Sequence, residues 1–130
     1  MAKNLKKPNV VVFFTDQQRW DTTGLHGNPM DLTPNLDRLA RGHTHVAHSF
    51  TCQPVCGPAR SCLQTGLYAT TTGCFRNGIP LPAGSRTLAH YFGEAGYQTG
   101  YIGKWHLNGR GSMGPVPREQ RGGYDYWLAS

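Results

Sequence analysis

The residues whose spacing best suits chemistry are Cys56, Pro58 and Arg60, which form the pattern C-x-P-x-R, with a Thr-Gly pair at 65 and 66. Because proline favours the first turn of a helix, the pattern predicts a helix that starts at Pro58, with Cys56 just before it. A helix start offers free N–H groups and the positive end of the helix dipole, and both favour an anion. Arg60 follows Cys56 by four residues and falls near the same face of such a helix. The pattern therefore predicts a cysteine beside an anion site.

Three further side chains stand at positions where ligands gather. Asp16 follows the apolar run 9–15, which predicts a buried parallel strand, and ligands of open α/β sheets bind at the carboxyl ends of strands. A carboxylate there suits a hard divalent ion. Lys104 and His106 are two residues apart, so in extended backbone they point to one side, where a lysine can neutralise an anion and a histidine can carry a proton. Taken alone, each of the three also fits an ordinary solvated polar residue.

The elements that must position these residues follow from periodicity, capping and turn residues. Thr33 and Pro34 predict a helix start, and Gly42 predicts its end. The full predicted order is strand 9–15, helix 34–42, a possible short strand 45–50, helix 58–65, loop 73–84, helix 87–95 and strand 97–103. This order indicates an α/β fold with a parallel sheet. Since two or three strands do not make a stable doubly wound sheet, we expect the sheet to be incomplete in this chain.

The charge and composition of the chain indicate which classes of binding partner to expect. The 130 residues include 13 basic and seven acidic ones, a formal charge of +6, which is compatible with a small anionic substrate. The basic residues are scattered and no nucleic-acid-binding motif occurs, so no nucleic-acid partner is predicted. No apolar run approaches the ~20 residues that span a bilayer, so no membrane partner is predicted. No signal peptide is recognisable at the basic N-terminus, which favours the cytoplasm.

The motifs together resemble the sulfatase family of the alkaline phosphatase superfamily, in which C-x-P-x-R is the signature. The matching segments are Asn9-Val10 with the D-Q-Q-R at 16–19, T-P-N-L-D-R-L at 33–39, G-K-W-H-L at 103–107 and G-Y-D-Y at 123–126. Family members are several times longer, so residues 1–130 are expected to be part of an N-terminal catalytic domain. The resemblance implies the N-terminal portion of an alkaline-phosphatase-like mixed or parallel sheet, sandwiched by helices and incomplete in this chain.

The resemblance also implies a reaction, the hydrolysis of a sulfate monoester. In the family a maturation enzyme, the formylglycine-generating enzyme, oxidises the cysteine that corresponds to Cys56 to formylglycine, which is then hydrated. One hydroxyl of the hydrate attacks the sulfur, and the second then loses its proton as sulfate leaves, which splits one hard step into two easier ones. Arg60 is expected to hold the modified residue, while Lys104 and His106 serve the sulfate oxygens and the moving proton.

The metal expected from the resemblance is Ca²⁺ or another divalent ion, held by Asp16, Gln17 and the modified Cys56. The family often has two consecutive aspartates where this chain has Asp16 and Gln17, and the amide offers an oxygen without charge. Because Ca²⁺ takes about 6–8 oxygen ligands, these residues make a partial cage. The 130-residue chain alone is therefore expected to be inactive.

Two alternatives remain beside the sulfatase interpretation. Close relatives hydrolyse phosphonate or phosphate esters with the same modified cysteine, and a non-catalytic remnant could bind an anion or a partner. Cys52, Cys62 and Cys74 match no family role and are interpreted as small buried hydrophobic residues.

Overall fold

The computed structural model describes residues 7–109 and 114–130. These residues divide into two compact units, one up to Val46 and one from Ala47 onward. In the first unit, helix α1 spans Pro34–Gly42, as predicted, and two short 3-10 turns precede it at Trp20–Thr22 and Gly24–His26.

The start of α1 is held by Thr33, although not through a side-chain cap. Its hydroxyl donates a 3.1 Å hydrogen bond to the Asp37 carboxylate and accepts one of 3.2 Å from the Gly24 N–H. Asp37 is thereby buried and partnered, and the helix is tied to the turn before it.

The predicted strand at 9–15 is wrong for the described chain, in which these residues form no strand. Val11 and Phe13 are 86% and 89% exposed. A strand is completed by hydrogen bonds to a neighbour. The described residues form one sheet, whose two strands both lie in the second unit. The possible short strand at 45–50 does not form in the described residues either.

The elements of the second unit are α2 at Cys56–Thr65, α3 at Ala69–Thr72, α4 at Leu88–Glu94, β1 at Gly100–Gly103, a 3-10 turn at Arg118–Gln120 and β2 at Tyr126–Ala129. Three of these helices and strands form where the sequence pattern indicated, and two others, α3 and β2, were not predicted. Helix α2 begins two residues before the predicted Pro58. Strands β1 and β2 are parallel, with Gly100 opposite Tyr126, so the predicted parallel α/β arrangement is confirmed in this unit.

An aromatic core packs against this two-stranded sheet. Its fully buried members are Trp105, Leu107 and Val116, and the half-buried residues around them are Leu81, Tyr101, Tyr124 and Trp127. The Tyr101 and Trp127 rings, which lie opposite each other on β1 and β2, stack with centroids 5.2 Å apart. The core therefore fixes the backbone that follows β1. No helix in the described part of the chain is long and apolar enough to cross a membrane.

Candidate functional site

Cys56 is the first residue of α2 and is half-buried. Val55, which precedes it, is extended, so the chain turns from extended to helical backbone at the cysteine. Pro58 fits the first helical turn, where its missing N–H leaves no hydrogen bond unmade. The helix ends at Thr65 and is capped by Gly66, which has a left-handed backbone and whose N–H donates a 2.8 Å bond to the Cys62 carbonyl.

The start of α2 is in contact with two other segments of the second unit. The Gly57 N–H donates a 2.8 Å hydrogen bond to Oδ1 of Asn77. A Cβ at Gly57 would lie 3.1 Å from that oxygen and 3.7 Å from the His106 carbonyl oxygen. A side chain at Gly57 would therefore crowd the Asn77 amide, and the residue next to Cys56 lies close to the His106 backbone. Asn77 is a site residue that sequence reasoning missed, since it lies in a predicted loop with no pattern of its own.

This arrangement changes one part of the predicted anion site. Of the N–H groups expected to be free at the helix start, that of Gly57 already binds Asn77, and Pro58 has none. Attraction for an anion at this end of α2 therefore rests more on the helix dipole than on the backbone N–H groups of these two residues.

Arg60 joins α2 to the backbone that follows β1. Its side chain is buried, with only 6% of the residue exposed, and Nη1 donates hydrogen bonds of 2.6 Å to the Lys104 carbonyl oxygen and 3.3 Å to Oη of Tyr101. The Tyr101 hydroxyl donates a 2.6 Å bond to the same carbonyl. Burial raises the pKa of Tyr101, which keeps this hydroxyl protonated as a donor, although the Arg60 charge opposes the shift. Arg60 thus fixes the backbone position of Lys104.

Buried and half-buried residues alternate along the segment from Lys104 to Leu107. Trp105 and Leu107 are buried, whereas Lys104 and His106 are half-buried. The backbone is not simply extended, because His106 has a φ of +59°. A left-handed conformation is uncommon for histidine and is maintained only where surrounding contacts impose it. One such contact is the 2.9 Å bond from the Leu81 N–H to the Leu107 carbonyl.

Buried polar side chains anchor the rest of α2. The Tyr124 hydroxyl donates a 2.8 Å bond to Oε1 of Gln64, and the hydroxyls of Ser61 and Thr72 are 3.1 Å apart. Thr65 donates a 2.6 Å bond to the Ser61 carbonyl. Because buried polar groups are costly when unpaired, this network defines one position for the helix that carries Cys56.

Asp16 and Gln17, the predicted metal ligands, are exposed residues of the first unit, whereas Cys56, Arg60, Lys104 and His106 all belong to the second. Gln17 has a φ of +44°, in the left-handed region. The carboxylate and amide oxygens of this pair suit a hard divalent cation by their chemistry. Within residues 7–109 and 114–130, no three His, Cys, Asp or Glu side chains group in a way that could hold a metal ion.

The remaining cysteines divide into two environments. Cys74 is fully buried, as expected of a small hydrophobic residue, and its thiol donates a 3.2 Å bond to the Pro80 carbonyl. Cys52 is exposed and Cys62 is half-buried, so the interpretation as buried hydrophobic residues is wrong for Cys52 and incomplete for Cys62. Their sulfur atoms are 3.0 Å apart.

Comparison with known proteins gives consistent matches over nearly the whole chain. The family model described as Sulfatase matches residues 8–130. An ulvan-active sulfatase of Formosa agariphila is 43% identical over 95% of this chain and 24% of its own length. N-acetylgalactosamine-6-sulfatase of Sus scrofa is 33% identical over 95% of the chain and 25% of its own length. The chain thus spans about a quarter of the length of the curated relatives it matches.

Solved structures agree in fold. A Bacteroides fragilis protein assigned as the sulfatase yidJ superposes with a TM-score of 0.73 at 32% identity, over 85% of this chain and 28% of that one. The phosphonate monoester hydrolase of Agrobacterium radiobacter superposes with a TM-score of 0.69 at 30% identity, over 85% of this chain and 23% of that one. These neighbours confirm the alkaline-phosphatase-like fold class that the sequence motifs implied.

Proposed function

The chain belongs to the sulfatase family, and from that membership we propose that it contributes the nucleophile and part of the anion site of an enzyme that hydrolyses sulfate monoesters. The observation that carries the proposal is the placement of the signature cysteine. Cys56 starts a rigidly anchored helix, with Gly57 against the His106 backbone and Arg60 bonded to the Lys104 carbonyl. Helix α2, which carries Cys56 and Arg60, is thereby joined to the segment that carries Lys104 and His106.

The nucleophile requires a modified Cys56, made by a formylglycine-generating enzyme. When formed and hydrated, this group supplies one hydroxyl to attack sulfur and a second whose deprotonation releases sulfate. The chain's own contribution is to hold the position from which attack occurs. The Gly57–Asn77 hydrogen bond fixes the first turn of α2, and positioning of this kind can account for much of a catalytic rate enhancement.

Lys104 and His106 are proposed to act on the substrate and on the proton. The Lys104 ammonium would neutralise a sulfate oxygen as a point charge. The His106 imidazole would carry the proton that the leaving alcohol or the nucleophile exchanges. Arg60 acts here as a positioning residue for Lys104, because its hydrogen bond ends on the backbone of that residue.

A divalent ion, Ca²⁺ or another, is proposed to be held in part by Asp16, Gln17 and the modified Cys56. Such an ion supplies positive charge that lowers the cost of bringing an anionic ester to the site. Asp16 and Gln17 offer two oxygen donors, one of them uncharged, which is well short of the about 6–8 that Ca²⁺ takes. We therefore propose that residues 1–130 alone do not turn over substrate.

Hydrolysis of a phosphonate monoester is the second candidate. It is favoured by the structural similarity to the Agrobacterium radiobacter phosphonate monoester hydrolase, which approaches that to the Bacteroides fragilis protein. Phosphonate and sulfate monoesters are both tetrahedral anions, so the positive groups described above suit either.

Parallel assays of the full-length protein distinguish the two candidates. The protein is produced with a formylglycine-generating enzyme, loaded with Ca²⁺ and given an aryl sulfate or an aryl phosphonate monoester at matched leaving groups. A higher kcat/KM for the sulfate supports the sulfatase assignment, and a higher value for the phosphonate favours the second candidate. Cys56→Ser serves as the control and should eliminate both activities.

A further inference from the structure

Two thiols near the signature helix take no part in the proposed reaction. Cys52 lies in the loop that leads into α2, and Cys62 lies in the second half of that helix, so the two cysteines flank Cys56 along the chain. Their Sγ atoms are 3.0 Å apart, with the Cys52 thiol directed at the sulfur of Cys62. Cys52 is exposed, so reagents in solution can reach the pair.

We propose that Cys52 and Cys62 are a redox modification site, at which a reversible disulfide closes a covalent ring around Cys56. A disulfide has a sulfur–sulfur length of about 2.05 Å, so the thiols need to approach by only about 1 Å. Small rotations of the two side chains can supply that movement.

The different environments of the two thiols determine which cysteine reacts first with an oxidant. Burial raises the pKa of the Cys62 thiol, and the adjacent Cys52 raises it further, so Cys62 is held as a thiol at neutral pH. The exposed Cys52 therefore reacts first with an external oxidant. The oxidant in this proposal is a low-molecular-weight disulfide such as oxidised glutathione.

The exchange proceeds in two balanced steps. The Cys52 thiolate attacks one sulfur of oxidised glutathione, which forms a mixed disulfide and releases one glutathione thiolate. Cys62 then loses its proton to solvent, and its thiolate attacks Sγ of Cys52, which forms the protein disulfide and releases the second glutathione thiolate. In sum, two protein thiols are oxidised and one molecule of oxidised glutathione is reduced to two thiols.

The bond would reinforce an existing attachment of this loop. The Gln53 side chain donates a 2.5 Å bond to the Phe75 carbonyl, and the Val55 N–H donates a 2.9 Å bond to the Gln53 carbonyl. A disulfide adds a covalent connection from the loop to α2, with Cys56 between its ends. Cys74 does not compete, because it is fully buried and its thiol is bonded to Pro80.

Peptide mapping tests the proposal. The purified protein is equilibrated with millimolar oxidised glutathione, its free thiols are alkylated, and it is digested with trypsin. We expect a cross-link between peptides 42–60 and 61–76, which respectively hold Cys52 with Cys56 and Cys62 with Cys74. Fragmentation of the cross-linked pair should assign the bond to Cys52 and Cys62, and dithiothreitol should reverse it.

Matched variants isolate the pair. In the double variant Cys56→Ser, Cys74→Ala, only Cys52 and Cys62 remain, and the alkylated thiols should fall from two to none without a retained glutathione adduct. Adding Cys52→Ser or Cys62→Ser should remove the cross-link. The proposal is overturned if both thiols stay alkylatable, or if Cys52 retains glutathione while Cys62 stays free. It is equally overturned if fragmentation in the parent protein places the bond on Cys56 or Cys74.

Discussion

The guanidinium of Arg60 and the backbone carbonyl of Lys104 are joined by a 2.6 Å hydrogen bond. Through this bond, helix α2 positions the residue that follows β1, although 44 positions separate the two along the chain. Arg60, the arginine of the signature, therefore holds the Lys104 backbone in position.

Arg60→Ala should destabilise the protein, because it leaves the part-buried Lys104 carbonyl with one donor fewer and opens space beside Tyr101. Hydrogen bonds to charged groups contribute about 1.5–3 kcal/mol, and we expect a loss of that size in the free energy of unfolding. Urea titration measures it. The matched control is Arg76→Ala at an exposed arginine, expected within about 0.5 kcal/mol of the parent protein. Equal effects of the two substitutions would contradict the structural role.

Asn77→Ala should weaken the start of α2, since the Gly57 N–H loses its acceptor. We expect a loss of about 1 kcal/mol in unfolding free energy. Asn77→Asp keeps an acceptor oxygen and adds a negative charge that the helix start favours, so its stability should stay close to that of the parent. Thermal and urea unfolding of both variants provide the test. If the aspartate variant is as unstable as the alanine variant, the hydrogen bond is not what matters at this position.

In the full-length protein, Lys104→Ala and His106→Asn should each reduce turnover by about 10²–10³ without unfolding the protein. Asparagine is chosen because it tolerates the left-handed backbone that His106 adopts, so the loss of the imidazole is separated from backbone strain. The kcat/KM of an aryl sulfate is compared with that of His48→Asn, a change at an exposed histidine. Parent-like kinetics in the Lys104 and His106 variants would remove both residues from the mechanism.

Asp125 should make the stability of the second unit depend on acid pH. The Thr99 backbone N–H and hydroxyl both donate to Oδ2 of Asp125, at 2.8 Å and 3.0 Å, and these bonds hold the carboxyl pKa below its usual value. A lowered folded-state pKa means that the carboxylate stabilises the fold above the unfolded pKa of about 4. That contribution is lost as the pH falls through the lower folded-state value.

The stability difference between the parent protein and Asp125→Asn should therefore be largest near neutral pH and shrink below about pH 4. Chemical denaturation across the acid range measures it, with Glu119→Gln as the control at an exposed carboxylate. A difference that does not change with pH would show that the charge of Asp125 is irrelevant to the pairing of β2 with β1.

Local sequence signals predicted helices α1, α2 and α4, whose backbone hydrogen bonds form within a single segment of the chain. Helices α1 and α4 have a Pro34 start and a Thr87 capping box, and both form within a residue or so of the predicted limits. The run 9–15 illustrates the opposite case, because its pattern specifies an apolar strand but not the partner that a strand needs. Strand β2 was not predicted, because it forms only by pairing with β1, a segment 26 positions earlier along the chain.

The same contrast holds for the candidate site: motifs predict individual residues, but not the contacts between distant segments. The motifs predicted Cys56, Arg60, Lys104 and His106 as site residues, and all four lie in the second unit. No spacing rule could have indicated Asn77 or the bond from Arg60 to the Lys104 carbonyl, since both arise from contacts between segments far apart along the chain.

If Cys56 is converted to the formylglycine nucleophile, its modification and the sulfatase activity should rise together, and a paired measurement on one sample shows whether they do. The full-length protein is produced with a formylglycine-generating enzyme, the tryptic peptide 42–60 is analysed by mass spectrometry, and aryl sulfatase activity is measured on the same sample. We expect CH₂SH to be replaced by CHO at Cys56 and activity to rise in proportion to the modified fraction. Full activity in a sample whose Cys56 remains a thiol would contradict it.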